Sequence, residues 1–466
     1  MKREMQIIED TLRMHRILVR VLPAPYSYAT SRSYVLQVQV ANGQKVDAIT
    51  RFEADLDEAL TNALHRDMQV RFQYRPLSIV VPRPDPQTIK IGDVLRGVQK
   101  QKGLVVTLGE THVGIGTERK VTPLRVDLKG DTTPHWLVAG TTGSGKSTLI
   151  KSGVFSLALA ADPRTTGIIL VDPKGRDYPQ LAGLPHLVHP VITRTGDGVI
   201  STLLNSVIVE IERRTATLDK VAQTNPSAIY ATAQGFMNLV IVIDEILSLW
   251  QSGNEPEAQM LGRIASIGRG VGVHLILGTQ RPTKSLVGGD AMANLPLRCC
   301  GSVATMEEGK YATGIAGSVL GAHKLTGKGD FLLTLNGKIV PFQSPFVDVE
   351  RNEDIRIVEG VKRWWNGSTN PWRLPMVESP RLQVATSSGS GPAMRRHQID
   401  SRQSEVKGRI AEFAQKNGQI PSYTSVMNMF KSEGGPTLNF NTAKKLVDEV
   451  AGTLPPGMYG KEVKPQ

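Results

Sequence analysis

The chain has almost no cysteine: two among 466 residues, adjacent at Cys299 and Cys300. Neighbouring thiols can build neither a disulfide framework nor a four-ligand zinc site, so the usage suits a reducing cytoplasm. The pair reads instead as two small buried residues of a strand. No stretch approaches the length of apolar sequence that a membrane-crossing helix needs. The first residues, MKREMQIIEDTLRMHR, are charged throughout and carry no apolar signal-peptide core. Acidic residues are the scarcer charge. Against 55 Lys and Arg stand 43 Asp and Glu, a net charge of +12, which favours an anionic partner such as nucleic acid. Part of that excess is concentrated at the end, where residues 351–466 hold 17 basic and 11 acidic side chains, or +6. With 40% apolar and 21% charged residues, the composition is that of a soluble globular protein. Its length predicts about two to four domains.

The first segment, residues 1–86, reads as a small α/β domain of short strands and one helix. Tyr34 to Val40 (YVLQVQV) alternates as a half-buried strand does, and Phe52 to Leu64 spaces its apolar residues as an amphipathic helix. Ser78 to Val81 is a further strand, and Pro82, Pro84 and Pro86 then mark the boundary. Residues 87–365 read as an α/β motor. The runs GIILVD (Gly167 to Asp172), NLVIVIDE (Asn238 to Glu245) and VHLILGTQ (Val273 to Gln280), with WLVAG ahead of them, predict a parallel central sheet covered by helices on both faces. In such sheets ligands bind at the carboxyl ends of the strands, where the polar residues of these runs fall. Residues 366–402 are rich in Ser, Gly, Pro and Arg and predict a flexible linker.

Gly140, Thr141, Thr142, Gly143, Ser144, Gly145, Lys146 and Ser147, followed by Thr148, spell a phosphate-binding loop between a strand and a helix. The glycines let backbone N–H groups turn inward around a phosphate, and the next helix adds the positive end of its dipole. Lys146 is expected to reach the β- and γ-phosphates of ATP, and the Ser147 hydroxyl to bind Mg²⁺. Asp244 ends an apolar strand and is expected to join Ser147 in holding the magnesium; Glu245 would orient or deprotonate the attacking water. Gln280 ends the third strand, where its amide could contact the γ-phosphate. Asp172 and Lys174 end the strand GIILVD, and shaping the site and forming a plain salt bridge are equally compatible with them.

Residues 403–460 regain helical periodicity. Val406, Ile410 and Phe413 mark one helix, Val426, Met429 and Phe430 a second, and Ala443, Leu446, Val447 and Val450 a third. Three short helices read as a helix-turn-helix or winged-helix domain, although no clear wing strand follows. A three-helix protein-interaction module is the competing reading. In the first reading, Asn439, Asn441, Thr442, Lys444 and Lys445 face DNA. Trp364, Trp365 and Trp372 read as anchors of the motor's last helix, with base stacking the less favoured reading.

The motifs VAGTTGSGKS, VDPKGRDY, IVIDE and GRGVGVHLILGTQRP, in this order, resemble the motor of the FtsK/SpoIIIE family of double-stranded DNA translocases. The resemblance covers about residues 50–350 and includes FEADLDEALTNAL with SIVVPRP, similar to the small α/β domain ahead of that motor. It implies a homo-hexameric ring around duplex DNA, with ATP sites between subunits and an arginine finger from the neighbour. Arg269 matches the favoured position; Arg298 is the second candidate and Arg263 the third. Members of the family that sit in membranes carry N-terminal transmembrane helices, which are absent here, so the chain most resembles the TraB-like plasmid-transfer translocases. The expected role is DNA transfer or segregation for a plasmid, integrative element or phage, with a membrane or transfer-apparatus protein as a further partner. The competing classes are a secretion-type ATPase that moves protein and an ATP-regulated DNA-binding protein that does not translocate.

Overall fold

The computed structural model describes residues 1–376 except 75, 101–102, 131–132, 194–197, 248–254, 284–293 and 316–320. The expected linker begins too early at residue 366, since Asn370 Nδ2 donates to Thr166 O at 3.1 Å and the Leu374 N–H to Val188 O at 3.2 Å. Its remainder beyond residue 376, and the residues expected to face DNA, Asn439, Asn441, Thr442, Lys444 and Lys445, lie outside the described residues.

In chain order, α1 (Lys2–Met14), β1 (Val19–Val21), β2 (Tyr28–Ala29), β3 (Ser33–Val40), α2 (Val46–Thr50), α3 (Glu53–Leu64), β4 (Arg71–Gln73) and β5 (Ser78–Pro82) form an N-terminal layer. Its antiparallel sheet runs β1-β3-β5-β4, with β2 paired to β3. The segment holds three helices where the sequence pattern led to one. In α1 the charges mask a four-residue apolar period: Ile8 and Leu12 are fully buried against Leu36, Leu56 and Leu60.

The second part contains α4 (Ile91–Leu95), β6 (Val105–Val113), β7 (Lys120–Asp127), β8 (Trp136–Ala139), α5 (Lys146–Ala160), β9 (Thr166–Val171), α6 (Val199–Thr224), α7 (Ile229–Gly235) and β10 (Asn238–Ile243). It continues with α8 (Glu255–Ile267), β11 (Val273–Thr279), β12 (Leu297–Cys300), α9 (Met306–Thr313), β13 (Asp330–Leu335), β14 (Lys338–Gln343) and α10 (Glu353–Trp364). Its sheet has nine strands in the order β7-β6-β14-β13-β12-β8-β11-β10-β9.

Only part of that sheet is parallel, which corrects the expectation of a parallel one. Strands β12, β8, β11, β10 and β9 run together, whereas β13, β14, β6 and β7 extend the sheet antiparallel. Hairpins of this kind need no crossover helix. The β13–β14 turn carries a readable signal: Asn336 and Gly337 both take positive φ, as an Asn-Gly hairpin turn requires.

The parallel strands are apolar throughout because both faces are covered. In β10, Val240 and Val242 pack with Leu149, Val154 and Phe155 of α5, while Leu239, Ile241 and Ile243 pack with Leu204 and Ile211 of α6 and Leu261 of α8. Cys299 and Cys300 are fully buried in β12, and burial pushes the Cys300 thiol up to about 12. The two parts of this unit meet through ion pairs: Lys324 Nζ lies 3.0 Å from Glu53 and 3.6 Å from Asp57. Among the described residues, no helix is long and apolar enough to cross a membrane.

Candidate nucleotide-binding site

The parallel register places the carboxyl ends of β8, β11, β10 and β9 side by side, and the turns that leave them form one site. The loop after β8 is sewn to its neighbours: Gly140 N–H donates to Thr279 O at 3.0 Å and Thr141 N–H to Ser302 O at 2.8 Å. From the other side, Lys328 N–H donates to Gly143 O at 2.9 Å and Gly329 N–H to Ser144 O at 2.7 Å. One of the glycines is required by space and backbone conformation, and another is closely approached by a side chain. A Cβ on Gly140 would lie 2.5 Å from Ser144 Oγ, and one on Gly145, where φ is +98°, 2.9 Å from Gly329 N.

Among the described residues, the N–H groups of Thr142, Gly143 and Gly145 meet no acceptor, and the buried Ser144 Oγ has no hydrogen-bond partner. Amides clustered at a helix N-terminus fit an anion such as a phosphate chain. The cavity beside them has a volume of about 590 Å³, sufficient for a nucleotide.

Lys146, at the start of α5, is 4% exposed and faces the end of β10. Its Nζ donates to Asp244 O at 2.5 Å and to Asp244 Oδ1 at 2.9 Å. Ser147 Oγ donates to Asp244 Oδ2 at 3.2 Å. A hydroxyl and a carboxylate oxygen so close together suit Mg²⁺, which takes few protein ligands and fills its shell with phosphate and water oxygens. No cluster of three or more His, Cys, Asp or Glu able to hold a metal occurs among the described residues.

Glu245 turns the other way and accepts the Gln280 N–H at 3.2 Å on each of its carboxylate oxygens. Gln280 Oε1 in turn lies 3.5 Å from Thr142 Oγ1. Lys146, Ser147, Asp244, Glu245 and Gln280 are therefore brought together.

The structure also separates the two residues whose roles the sequence left open. Asp172 is fully buried and accepts N–H bonds from Lys174, Asp177 and Tyr178, so it shapes the turn after β9. Lys174 reaches instead toward Glu245, with Nζ 3.8 Å from Oε2. Sequence reasoning missed Tyr178 and Lys328. The Tyr178 phenol is held well above its usual range by full burial, reinforced by Asp244. Lys328 and Gly329 brace the phosphate loop through backbone groups, which leave no mark on residue type apart from their flanking glycines.

The three arginine candidates lie apart from this chain's own phosphate loop or are engaged. Arg269 is exposed at the amino end of β11, whose seven residues separate it from Gln280 by roughly 20 Å. Arg298 donates to Leu295 O at 2.9 Å and to Tyr311 O at 3.4 Å. Arg263 pairs with Glu212 at 2.6 Å on the surface.

Residues 95–235 match the FtsK/SpoIIIE family. The DNA translocase SftA of Bacillus subtilis (strain 168) is 31% identical over 358 residues, covering 72% of this chain and 36% of that protein. The DNA translocase FtsK of Pseudomonas syringae pv. syringae is 26% identical over 448 residues, covering 90% of this chain and 53% of that protein. The chain thus spans about a third to about half of the length of these curated relatives. Among solved structures, EssC (ATPases 2 and 3) from Geobacillus thermodenitrificans aligns with a TM-score of 0.51 at 16% identity, over 65% of this chain and 56% of that one. That likeness concerns the fold, a P-loop NTPase core.

Proposed function

We propose that this chain, a homologue of the FtsK and SftA translocases with an FtsK/SpoIIIE domain at residues 95–235, hydrolyses ATP to drive double-stranded DNA through a homo-hexameric ring. The observation that carries the reading is the convergence of Lys146, Ser147, Asp244, Glu245 and Gln280 at the ends of adjacent strands. A loop that merely held phosphate would need neither Glu245 nor Gln280.

The amides of Thr142, Gly143 and Gly145, those of the first turn of α5 and the Lys146 ammonium hold the phosphates. Ser147 and Asp244 would hold Mg²⁺, which neutralises charge on the phosphate oxygens. Glu245 orients the attacking water and takes its proton. Gln280 is the reporter: its side chain faces the phosphate loop while its own N–H holds Glu245, so one residue links phosphate contact to the position of the base. Arg269 faces away from its own site and completes the neighbour's as the finger.

Residues 403–460 serve as the DNA reader through Asn439, Asn441, Thr442, Lys444 and Lys445. The apolar spacing of three short helices in this segment, with the polar and basic start of the third, supports this reading. The resemblance to TraB-like motors extends the reading to transfer or segregation of a plasmid, integrative element or phage.

The test is the ATPase rate with and without duplex DNA, together with displacement of a triplex-forming strand. Stimulation with displacement is the expected result. Stimulation without displacement would leave a DNA-binding regulator, and no response to DNA would leave a motor for protein. Lys146→Ala should abolish turnover.

A further inference from the structure

The phosphate loop and the hydrolytic residues account for part of the cavity, whereas other lining groups serve neither the phosphates nor hydrolysis. Thr88, Ile89, Pro345 and Phe346 are among them. Phe346 is 51% exposed and belongs to none of the apolar core clusters of the described residues. Its backbone is nevertheless fixed on both sides: the Phe346 N–H donates to Ile89 O at 2.8 Å, and Phe346 O accepts from Ile91 N–H at 3.2 Å. A large ring with a pinned backbone, little packing of its own and a phosphate cradle in the same cavity is suited to a flat apolar ligand surface.

We propose that Phe346 is the stacking platform for the purine base of the bound nucleotide, and that Gln87 and Thr88 read the edge of that base. This rests on the assignment of the phosphate loop as the ATP site. With the phosphates held by the loop at Thr142 to Ser147, the base takes the part of the cavity away from that loop, and Phe346 is the one aromatic ring among the described residues that line it.

Nearby polar groups are already engaged. Gln343 Nε2 donates to Lys328 O at 3.0 Å and to Ser344 O at 3.2 Å, and the Ile89 carbonyl serves Phe346. The side chains of Gln87 and Thr88, by contrast, make no hydrogen bond among the described residues and stand exposed on the rim. The Gln87 N–H is tied to Ser31 O at 2.7 Å, at the turn into β3. The base would therefore lie between the sheet that carries the phosphate loop and a strap fastened to the N-terminal layer.

Isothermal titration of ATP and of inorganic tripolyphosphate into the wild type, Phe346→Ala and Phe346→Trp tests this. Loss of the ring should weaken ATP about tenfold while leaving tripolyphosphate unchanged, and the tryptophan variant should retain ATP affinity. Equal ATP affinity in Phe346→Ala and wild type would overturn the proposal, as would equal weakening of both ligands, which would mean a disturbed cradle. If sedimentation shows that Phe346→Ala alters self-association alone, the ring is a subunit contact and the base site falls. Because binding is measured rather than turnover, a wild type that binds ATP but ignores DNA would defeat the translocase reading and leave this one standing.

Discussion

Asp244 and Glu245 are adjacent carboxylates with different surroundings, and the strand end is what divides them. Side chains of consecutive residues leave a strand in opposite directions. Asp244 is consequently enclosed by Lys146 and Ser147, whereas Glu245 is held by the Gln280 N–H and faced by Lys174. The basicity of Glu245 matters for turnover if it takes the proton of the attacking water. Glu245→Gln keeps the shape and an oxygen for the Gln280 N–H but removes the basicity. The variant should lose about 10²- to 10⁴-fold in kcat while its ATP affinity changes little. Steady-state ATPase assays beside nucleotide titration check this, and an unchanged kcat would remove Glu245 from proton transfer.

Among the elements, α5 links the site to the rest of the nine-stranded domain. Its first turn presents the phosphate amides, and its last turn leaves carbonyls without helical partners. Two indoles from the end of α10 and the residue after it take those carbonyls: Trp364 Nε1 donates to Leu159 O at 2.9 Å and Trp365 Nε1 to Ala158 O at 2.8 Å. Lys100 Nζ lies 5.1 and 4.6 Å from the two ring centres, so both rings are engaged within the domain. Trp364 and Trp365 thus act as anchors of the kind the sequence indicated, whereas Trp372 packs on the opposite face of the sheet. Trp365→Phe keeps most of the apolar contact and loses the N–H, which should cost about 1 kcal/mol. Thermal unfolding should detect the loss, with the ATPase rate at low temperature preserved.

Over the whole molecule, three buried histidines make stability depend on pH. His135 accepts the Leu275 N–H on Nδ1 at 3.0 Å, so its Nε2 carries the hydrogen donated to Ala265 O and the ring is neutral. His186 Nδ1 and His274 Nε2 are buried without partners, and a proton there would be an unpaired buried charge. Burial accordingly lowers His135 to about 3 and both His186 and His274 to about 4, from 6.5. The unfolded chain therefore binds more protons than the folded one between pH 6.5 and about 4. Stability is full above pH 6.5 and falls as pH drops through that window, by up to about 1.4 kcal/mol per pH unit for each ring. Chemical unfolding at pH 7.5, 6 and 5 checks this, and a flat profile would contradict it.

The proposed ring is testable by mixing. Arg269→Ala and Lys146→Ala should each abolish ATPase activity alone. Mixed assemblies should regain part of it, because some interfaces then pair an intact loop with an intact arginine. No recovery in assemblies shown to be mixed would place Arg269 outside the site.

Much of this protein was determined by local sequence. The phosphate loop follows from glycines that only a tight anion cradle needs, and the buried strands follow from apolar runs too continuous for a sheet with one wet face. The amphipathic helix Glu53–Leu64 follows from its three- and four-residue spacing. Tertiary structure alone decided the remainder. Strand direction depends on which partner a strand meets, so the antiparallel half of the sheet was not evident from apolar content, even though Asn336-Gly337 marked one of its turns. The pairing of Lys174 with Glu245, the bracing of the loop by Lys328 and Gly329, and the presence of Phe346 in the nucleotide cavity join residues 71 to over 200 positions apart. No local pattern encodes such contacts, because they arise only when separate strands close on one another.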